Sequence, residues 1–208
     1  RVTHRTRTPF VRVYTEERDR PVWVVVDQRL TMFFGSRCQM KSVGAAQTAA
    51  LSAWRVIGVG DRIGALLFND TTSKVYRPSR SSGALMHWLS ELVSMNHQLV
   101  ADRDEPSRST ALFEALQTLN RYLTQDSLII VISDFDGWND DCLSTIKAMR
   151  QSNDVIATVI TDPLERSLAS ADQLVVSDGA FQIQVESERK EADARFSAKF
   201  DAHRDRLT

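Results

Sequence analysis

The sequence predicts an α/β fold: a mostly parallel sheet covered by helices on both faces, with one antiparallel edge strand. Short β-branched runs recur along it, PVWVVV at 21–26, DRIGALLFND at 61–70, SLIIVISDF at 127–135 and DVIATVITD at 154–162. Segments of helical periodicity separate most of them, and that alternation builds parallel sheets. The exception is TSKVYRP at 72–78, which follows its strand after only a short polar turn and so predicts a hairpin.

Each element has its own justification. PVWVVV is apolar at consecutive positions, as a strand covered on both faces must be. CQMKSVGAAQTAALSAWRVI, at 38–57, reads as a long helix whose alanines suit close packing on a sheet, ended by Gly58 and Gly60. A helix over 81–95 opens on a serine cap. The polar, proline-containing stretch 96–109 is a loop, and 109–123 is the next helix. A helix over 139–151 carries Asp140 and Asp141 in its first turn, where the helix dipole favours acids. Further strands are expected at 172–178 (DQLVVSD) and 181–185 (FQIQV), joined by a turn. The tail is charged, but Ala192, Phe196, Phe200 and Leu207 mark one helical stripe. The expected organisation is an N-terminal arm over 1–20, a domain over 21–186, and a C-terminal helix over 187–208 packed on it.

Composition narrows the function. The chain has 208 residues, 42% hydrophobic and 25% charged, with a formal net charge of −1. That balance is ordinary for a globular domain and gives no bulk attraction to nucleic acid or anionic lipid. No apolar run is long enough to span a membrane, and the basic start, RVTHRTRTPF, is no signal peptide. Its arginines, Arg1, Arg5, Arg7 and Arg12, form an arm that could either contact a partner or be a frayed end. The absence of an initiator Met suggests a piece of a longer protein. The two cysteines, Cys38 and Cys142, are far apart and fit a reducing, cytoplasmic compartment better than a disulfide framework. The four histidines, His4, His87, His97 and His203, show no metal-ligand spacing, and no nucleotide or nucleophile-elbow motif is present.

Ligands of a parallel sheet bind beyond the carboxyl ends of its strands. Asp27, Asp70, Asp134 and Asp162 each stand at or just past such an end, with Asp136 close behind. Gathered carboxylates need a cation, a proton or an arginine. Asp27, Thr31, Thr110 and Asp134 could offer a hard cation such as Mg²⁺ oxygen ligands. Singly, each could equally be a turn or helix-cap residue.

The stretch EERDRPVWVVVDQRLTMFFGSRCQMKSVGAAQTAALSAWRVIGVGDRIGALLFND resembles the domain of unknown function 58 family, a bacterial branch of von Willebrand factor A-like proteins. ISDFDGW, NDVIATVITDPLERSL and VSDG continue the match in order. The resemblance implies a Rossmann-like three-layer sandwich. It also implies an adhesion-type metal site, D-x-S-x-S, completed by a threonine and an aspartate from later loops. Asp27 takes the first position, Arg29 replaces the first serine, Thr31 replaces the second, and Thr110 and Asp134 are the later pair. It implies as partners a MoxR-type AAA+ ATPase and other von Willebrand A proteins, in the assembly or activation of complexes, with a place at the inner membrane only through those partners.

Arg29 departs from the pattern. A guanidinium about 5 Å from a divalent ion, at an effective dielectric near 20, is repelled by roughly 6–7 kcal/mol. Alternatively its planar fork can take the cation's place and bridge Asp27 and Asp134. The expectation is a degenerate site with no cofactor, a true Mg²⁺ site being the alternative. A phosphatase of the haloacid dehalogenase type, with D-x-D-x-T, is the enzyme alternative. There Asp27 would be the nucleophile, but Arg29 stands where the general acid belongs and cannot donate a proton. Asn139, Asp140 and Asp141 read better as helix-start residues than as its acidic motif. The chain is therefore expected not to be an enzyme. Phe33, Phe34, Asp136 and Trp138 flank the rim as candidate partner contacts.

Overall fold

The computed structural model describes residues 20–100 and 107–166, together with the short strands Val175–Ser177 and Gln182–Gln184. The expected arm over 1–20, apart from Arg20, and the expected C-terminal helix lie outside the described residues.

Strand β1 (Val22–Asp27) is buried along its whole length. It pairs in parallel with β2 (Ile63–Phe68) on one side and β4 (Leu128–Ser133) on the other. β3 (Ser73–Ser79) closes one edge antiparallel to β2, and β5 (Asp154–Val159) extends the other edge parallel to β4. The order is therefore β3-β2-β1-β4-β5. Four parallel strands send their carboxyl ends to one rim, and only the hairpin strand runs back. The α/β class and the antiparallel edge agree with the sequence.

Helices α1 (Lys41–Gly58) and α2 (Ser82–His97) cover one face of the sheet. Ala45, Ala49 and Ala53 of α1 are fully buried, and their small side chains bring the helix close to Val24, Val26, Ala65 and Leu67. Helices α3 (Ala111–Asn120) and α4 (Asp140–Met149) cover the opposite face. There Leu112, Leu116 and Leu119 meet Trp23, Val25, Leu66 and Val131. Alternate residues of β1 thus enter two different cores, which explains its unbroken apolar run. The expected serine cap is present, Ser81 accepting a bond from the Ala84 amide, and Asn139 caps the later helix by accepting that of Cys142.

Several boundaries moved. The first helix begins at Lys41 rather than at 38, because the chain after Met32 is held as a loop on the rim. β5 stops at Val159, so Asp162 stands in the loop before a one-turn helix, α5 (Pro163–Arg166). Strands β6 (Val175–Ser177) and β7 (Gln182–Gln184) pair antiparallel with each other as a separate two-stranded sheet.

Candidate functional site

The rim is built by three loops that follow β1, β4 and β5. After Asp27 the chain turns at once, and a 3₁₀ turn over Leu30–Met32 sends it across the sheet end. Met32 is fully buried in the core under α1, while Phe33 and Phe34 are only half-buried.

Asp27 and Arg29 face each other inside this loop. Arg29 donates from Nε to Asp27 Oδ1 at 3.0 Å and to Oδ2 at 3.1 Å, and from Nη2 to Oδ2 at 2.7 Å. Its backbone amide donates to Oδ1 at 2.9 Å. Nη2 also lies 3.4 Å from Asp134 Oδ1, and Nη1 donates to the Asp136 carbonyl at 3.0 Å. Ser133 Oγ completes Asp27 with a bond of 2.6 Å to Oδ2. The guanidinium lies 5.7 Å from the centre of the Phe68 ring, which closes one of its faces. Both side chains are fully withdrawn from solvent.

A second cation serves the other half of the rim. Lys41, the first residue of α1, donates from Nζ to Asp134 Oδ2 at 2.9 Å and also pairs with Glu165 of α5. Asp162 accepts the Ser36 amide at 2.8 Å and the Ser36 hydroxyl, so the loop leading into α5 is tied twice to the β1–α1 loop. Asp70 braces the same loop from the end of β2. It accepts the Leu30 amide at 2.7 Å, the Ser107 hydroxyl at 2.7 Å and the Arg108 amide at 2.8 Å.

These contacts set the charge states. Burial pushes the Asp27 carboxyl above its ordinary value, against the downward pull of Arg29 and the Ser133 bond. Burial also acts on Asp134, but there Lys41 and Arg29 prevail and hold it below the ordinary value. Lys41 is buried too, yet Asp134 and Glu165 raise it. Arg29 stays charged, its burial outweighed by Asp27.

Of the residues expected at the rim, Asp27, Arg29 and Asp134 come together, and Asp136 joins through its backbone carbonyl. Thr110 does not. It is exposed, and its hydroxyl bonds Glu114 at 3.0 Å, one turn along its own helix. Thr31 Oγ1 is buried without a hydrogen-bond partner. Trp138 is half-buried and stands edge-on to Phe135 at 5.7 Å. Gly137, at φ 76°, lets this loop press on the neighbouring one, because a Cβ there would sit 2.3 Å from the Ser109 carbonyl oxygen.

Lys41, Ser133 and Glu165 were missed by the sequence reading. One signal was available for Lys41. A cation in the first turn of a helix opposes the dipole and calls for an acidic neighbour. Ser133 and Glu165 carried no such mark.

As arranged, the donors do not fit a divalent ion well. Every carboxylate oxygen of Asp27 and Asp134 already receives a donor from within the chain, and an ion would have to displace the guanidinium. The orphaned Thr31 hydroxyl is the one feature that matches a ligand set. Among the described residues, no group of three or more His, Cys, Asp or Glu is arranged to hold a metal.

This topology, with a carboxylate rim at the ends of β1 and β4, is a von Willebrand factor A-like fold. The family described as Protein of unknown function DUF58 matches residues 1–206, and the chain belongs to that family. The uncharacterized proteins Rv1480 of Mycobacterium tuberculosis (strain H37Rv) and Mb1516 of Mycobacterium bovis are each 28% identical to it over 181 residues. That match covers 85% of this chain and 54% of theirs, so the chain spans about half the length of these relatives. Among solved structures, an aerotolerance-related membrane protein from Bacteroides fragilis aligns with a TM-score of 0.55 at 14% identity, covering 88% of both chains. The conserved hypothetical protein BatB from Bacteroides thetaiotaomicron aligns at 0.50 and 14%, covering 88% of this chain and 87% of its own. At such identities the likeness concerns the fold alone. No described helix is long and apolar enough to cross a membrane.

Proposed function

We propose that this chain is a non-catalytic protein-interaction module, a partner or adaptor of a MoxR-type AAA+ ATPase in the assembly or activation of protein complexes. One observation carries the reading: Arg29 is buried between Asp27 and Asp134 and bonds both. A guanidinium in that position supplies the positive charge that the carboxylates require, and it fixes the rim loops in one arrangement. The rim then acts as a preformed docking surface. Asp136 is its exposed acid, and Phe33, Phe34 and Trp138 are its half-buried apolar flank. The phosphatase alternative finds little support here, since both oxygens of the would-be nucleophile are engaged and none is open to a phosphate ester.

The test is a pull-down of the MoxR-type ATPase from the same source. Phe34→Ala and Asp136→Ala/Trp138→Ala variants, checked to be folded, are expected to retain at least tenfold less ATPase. Undiminished retention by both would overturn the docking role. Titration calorimetry with Mg²⁺ and Mn²⁺ tests the rim chemistry separately. Sub-millimolar binding that disappears in Asp27→Ala would replace the internal cation by a true metal site.

The Thr31 hydroxyl favours that second reading. It lies four residues after Asp27, where an adhesion-type site has its second hydroxyl ligand, and it has no other partner.

A further inference from the structure

We infer that the outer face of α1 and α2 is an interface with a second copy of this chain, the two copies related by a twofold axis. Four large apolar side chains stand out from it: Leu51 is 73% exposed, Trp54 47%, Met86 51% and Val93 52%. Bonds at the flanks of the two helices place them. Gln28 donates to the Ser42 carbonyl of α1 at 3.0 Å and accepts from Asn96 of α2 at 2.9 Å, so Asn96 lies on the side of α2 that faces α1. Val93, Leu89 and Met86 recur at helical spacing before Asn96 and share that side. The other flank of α2 faces β3, where His87 stands edge-on to Tyr76 and Glu91 pairs with Lys74. On α1, Lys41 reaches Asp134 and Glu165, so its flank looks towards β4 and away from α2. Ala46, Ala50 and Trp54 recur at every fourth residue along the opposite flank. The two helices therefore border one shallow groove. Ala46, Ala50 and Leu89, all half-buried, form its floor, with Leu51 and Trp54 on one wall and Met86 and Val93 on the other.

Charge selects the occupant. In the whole chain 25% of residues are charged, but the 18 residues of α1 and the 16 of α2 include only Lys41, Arg55 and Glu91. Lys41 is turned into the rim and Glu91 is engaged with Lys74, which leaves Arg55 on the outer face. By contrast, α4 exposes Asp140, Asp141 and Lys147 within ten residues. A face without free acids offers nothing to a basic partner, and one arginine offers little to an acidic one. Depletion of charge together with exposed Trp and Met is the composition of a buried interface core. A second copy meets these terms, because uncharged surface then meets uncharged surface. Arg55 stands about 100° round the helix from Trp54, towards the flank of Lys41, so the groove itself carries no charge that would be opposed to its own image.

Relief points the same way. The face holds both projecting side chains and a receding floor of alanines. A twofold axis over the groove brings the projections of each copy to the floor of the other, the self-matching that such a contact requires. Scattered apolar residues on a surface need no partner, but these four line both walls of one groove. Ile156 and Val159 of β5 are exposed as well, yet three residues apart on a strand they point to opposite faces and make no common surface. The groove lies on the face of the sheet and not at its end, so the inference stands apart from the docking role of the rim.

Sedimentation equilibrium of the full chain at micromolar concentrations tests the assignment. The parent is expected to dimerise. Trp54→Glu and Val93→Glu, at exposed positions and checked for an unchanged urea midpoint, are each expected to weaken association at least tenfold. Ile156→Glu, checked in the same way, is expected to leave it unchanged. A monomeric parent would overturn the assignment, whether the groove is filled by another part of the chain or by a different protein. Dimers that persist in both groove variants would overturn it, and dimers lost in Ile156→Glu alone would overturn it in favour of β5.

Discussion

Arg29 grips Asp27 with two prongs, Nη2 2.7 Å from Oδ2 and Nε 3.0 Å from Oδ1, and neither side chain reaches solvent. Replacement of one partner leaves the other charged and buried. Arg29→Ala is therefore expected to cost about 3–5 kcal/mol of folding stability, read from urea unfolding midpoints. Asp27→Leu/Arg29→Met removes both charges and is expected to cost less than the sum of its two single changes. Additive losses would show that the pair is not energetically coupled.

Arg29→Ser rewrites the loop as D-x-S-x-T, but it leaves Lys41 Nζ on Asp134. No millimolar or tighter Mg²⁺ binding is expected from that single change, because the second cation still neutralises the carboxylate. Arg29→Ser/Lys41→Ala is expected to gain binding. Calorimetric titration of the two variants side by side decides the matter, and Mg²⁺ heat from the single variant would exclude Lys41 as a barrier.

Acid should weaken the fold through Asp134. Its carboxyl is held below the ordinary 3.8 in the folded chain, so the unfolded chain binds more protons as pH falls through this range. The stability it contributes is present above 3.8 and is lost as pH drops through the lower, folded value. Asp27 acts in the opposite sense. Burial raises it, so the folded chain binds more protons above 3.8 and loses stability as pH rises through that raised value. Urea midpoints at about pH 3 and about pH 6 should lie closer together in Asp134→Asn than in the parent. An unchanged gap would assign the acid sensitivity elsewhere.

Lys41 predicts an alkaline limit. Asp134 and Glu165 raise it above the ordinary 10.5 against the effect of burial, so its contribution is complete below 10.5 and disappears as pH climbs through the folded value. Lys41→Met should abolish the part of the alkaline loss that exceeds general titration, as followed by circular dichroism against pH.

Gly137→Ala should destabilise the rim loop by about 1–3 kcal/mol or more. The added Cβ would collide with the Ser109 carbonyl, and the backbone there is in the left-handed region. A urea midpoint equal to that of the parent would mean that the two loops part at little cost.

The strands were legible because each run of β-branched residues serves two cores at once. PVWVVV could be nothing but a central strand, and Trp23 and Val24 do enter opposite sides of the sheet. Asp27 and Asp134 could be placed at the rim from their position at strand ends alone. Thr110 could not. Spacing puts it at the mouth of a helix, but a hydroxyl there can turn to the rim or down its own helix, and Glu114 decides the direction locally. Glu165 was hidden for another reason. It reaches the site only because β5 ends early and α5 folds back over the rim, a long-range packing result with no short-range pattern.

The Lys41 bridge has a consequence for how the rim can be regulated. A dissociable ion comes and goes with its free concentration, and chelators can strip it. Arg29 and Lys41 are delivered with the polypeptide in fixed stoichiometry, and their local concentration cannot be diluted. The number of positive charges built into the rim is therefore set by the sequence, and in the neutral range control over them would work by rotating a side chain or lifting a loop.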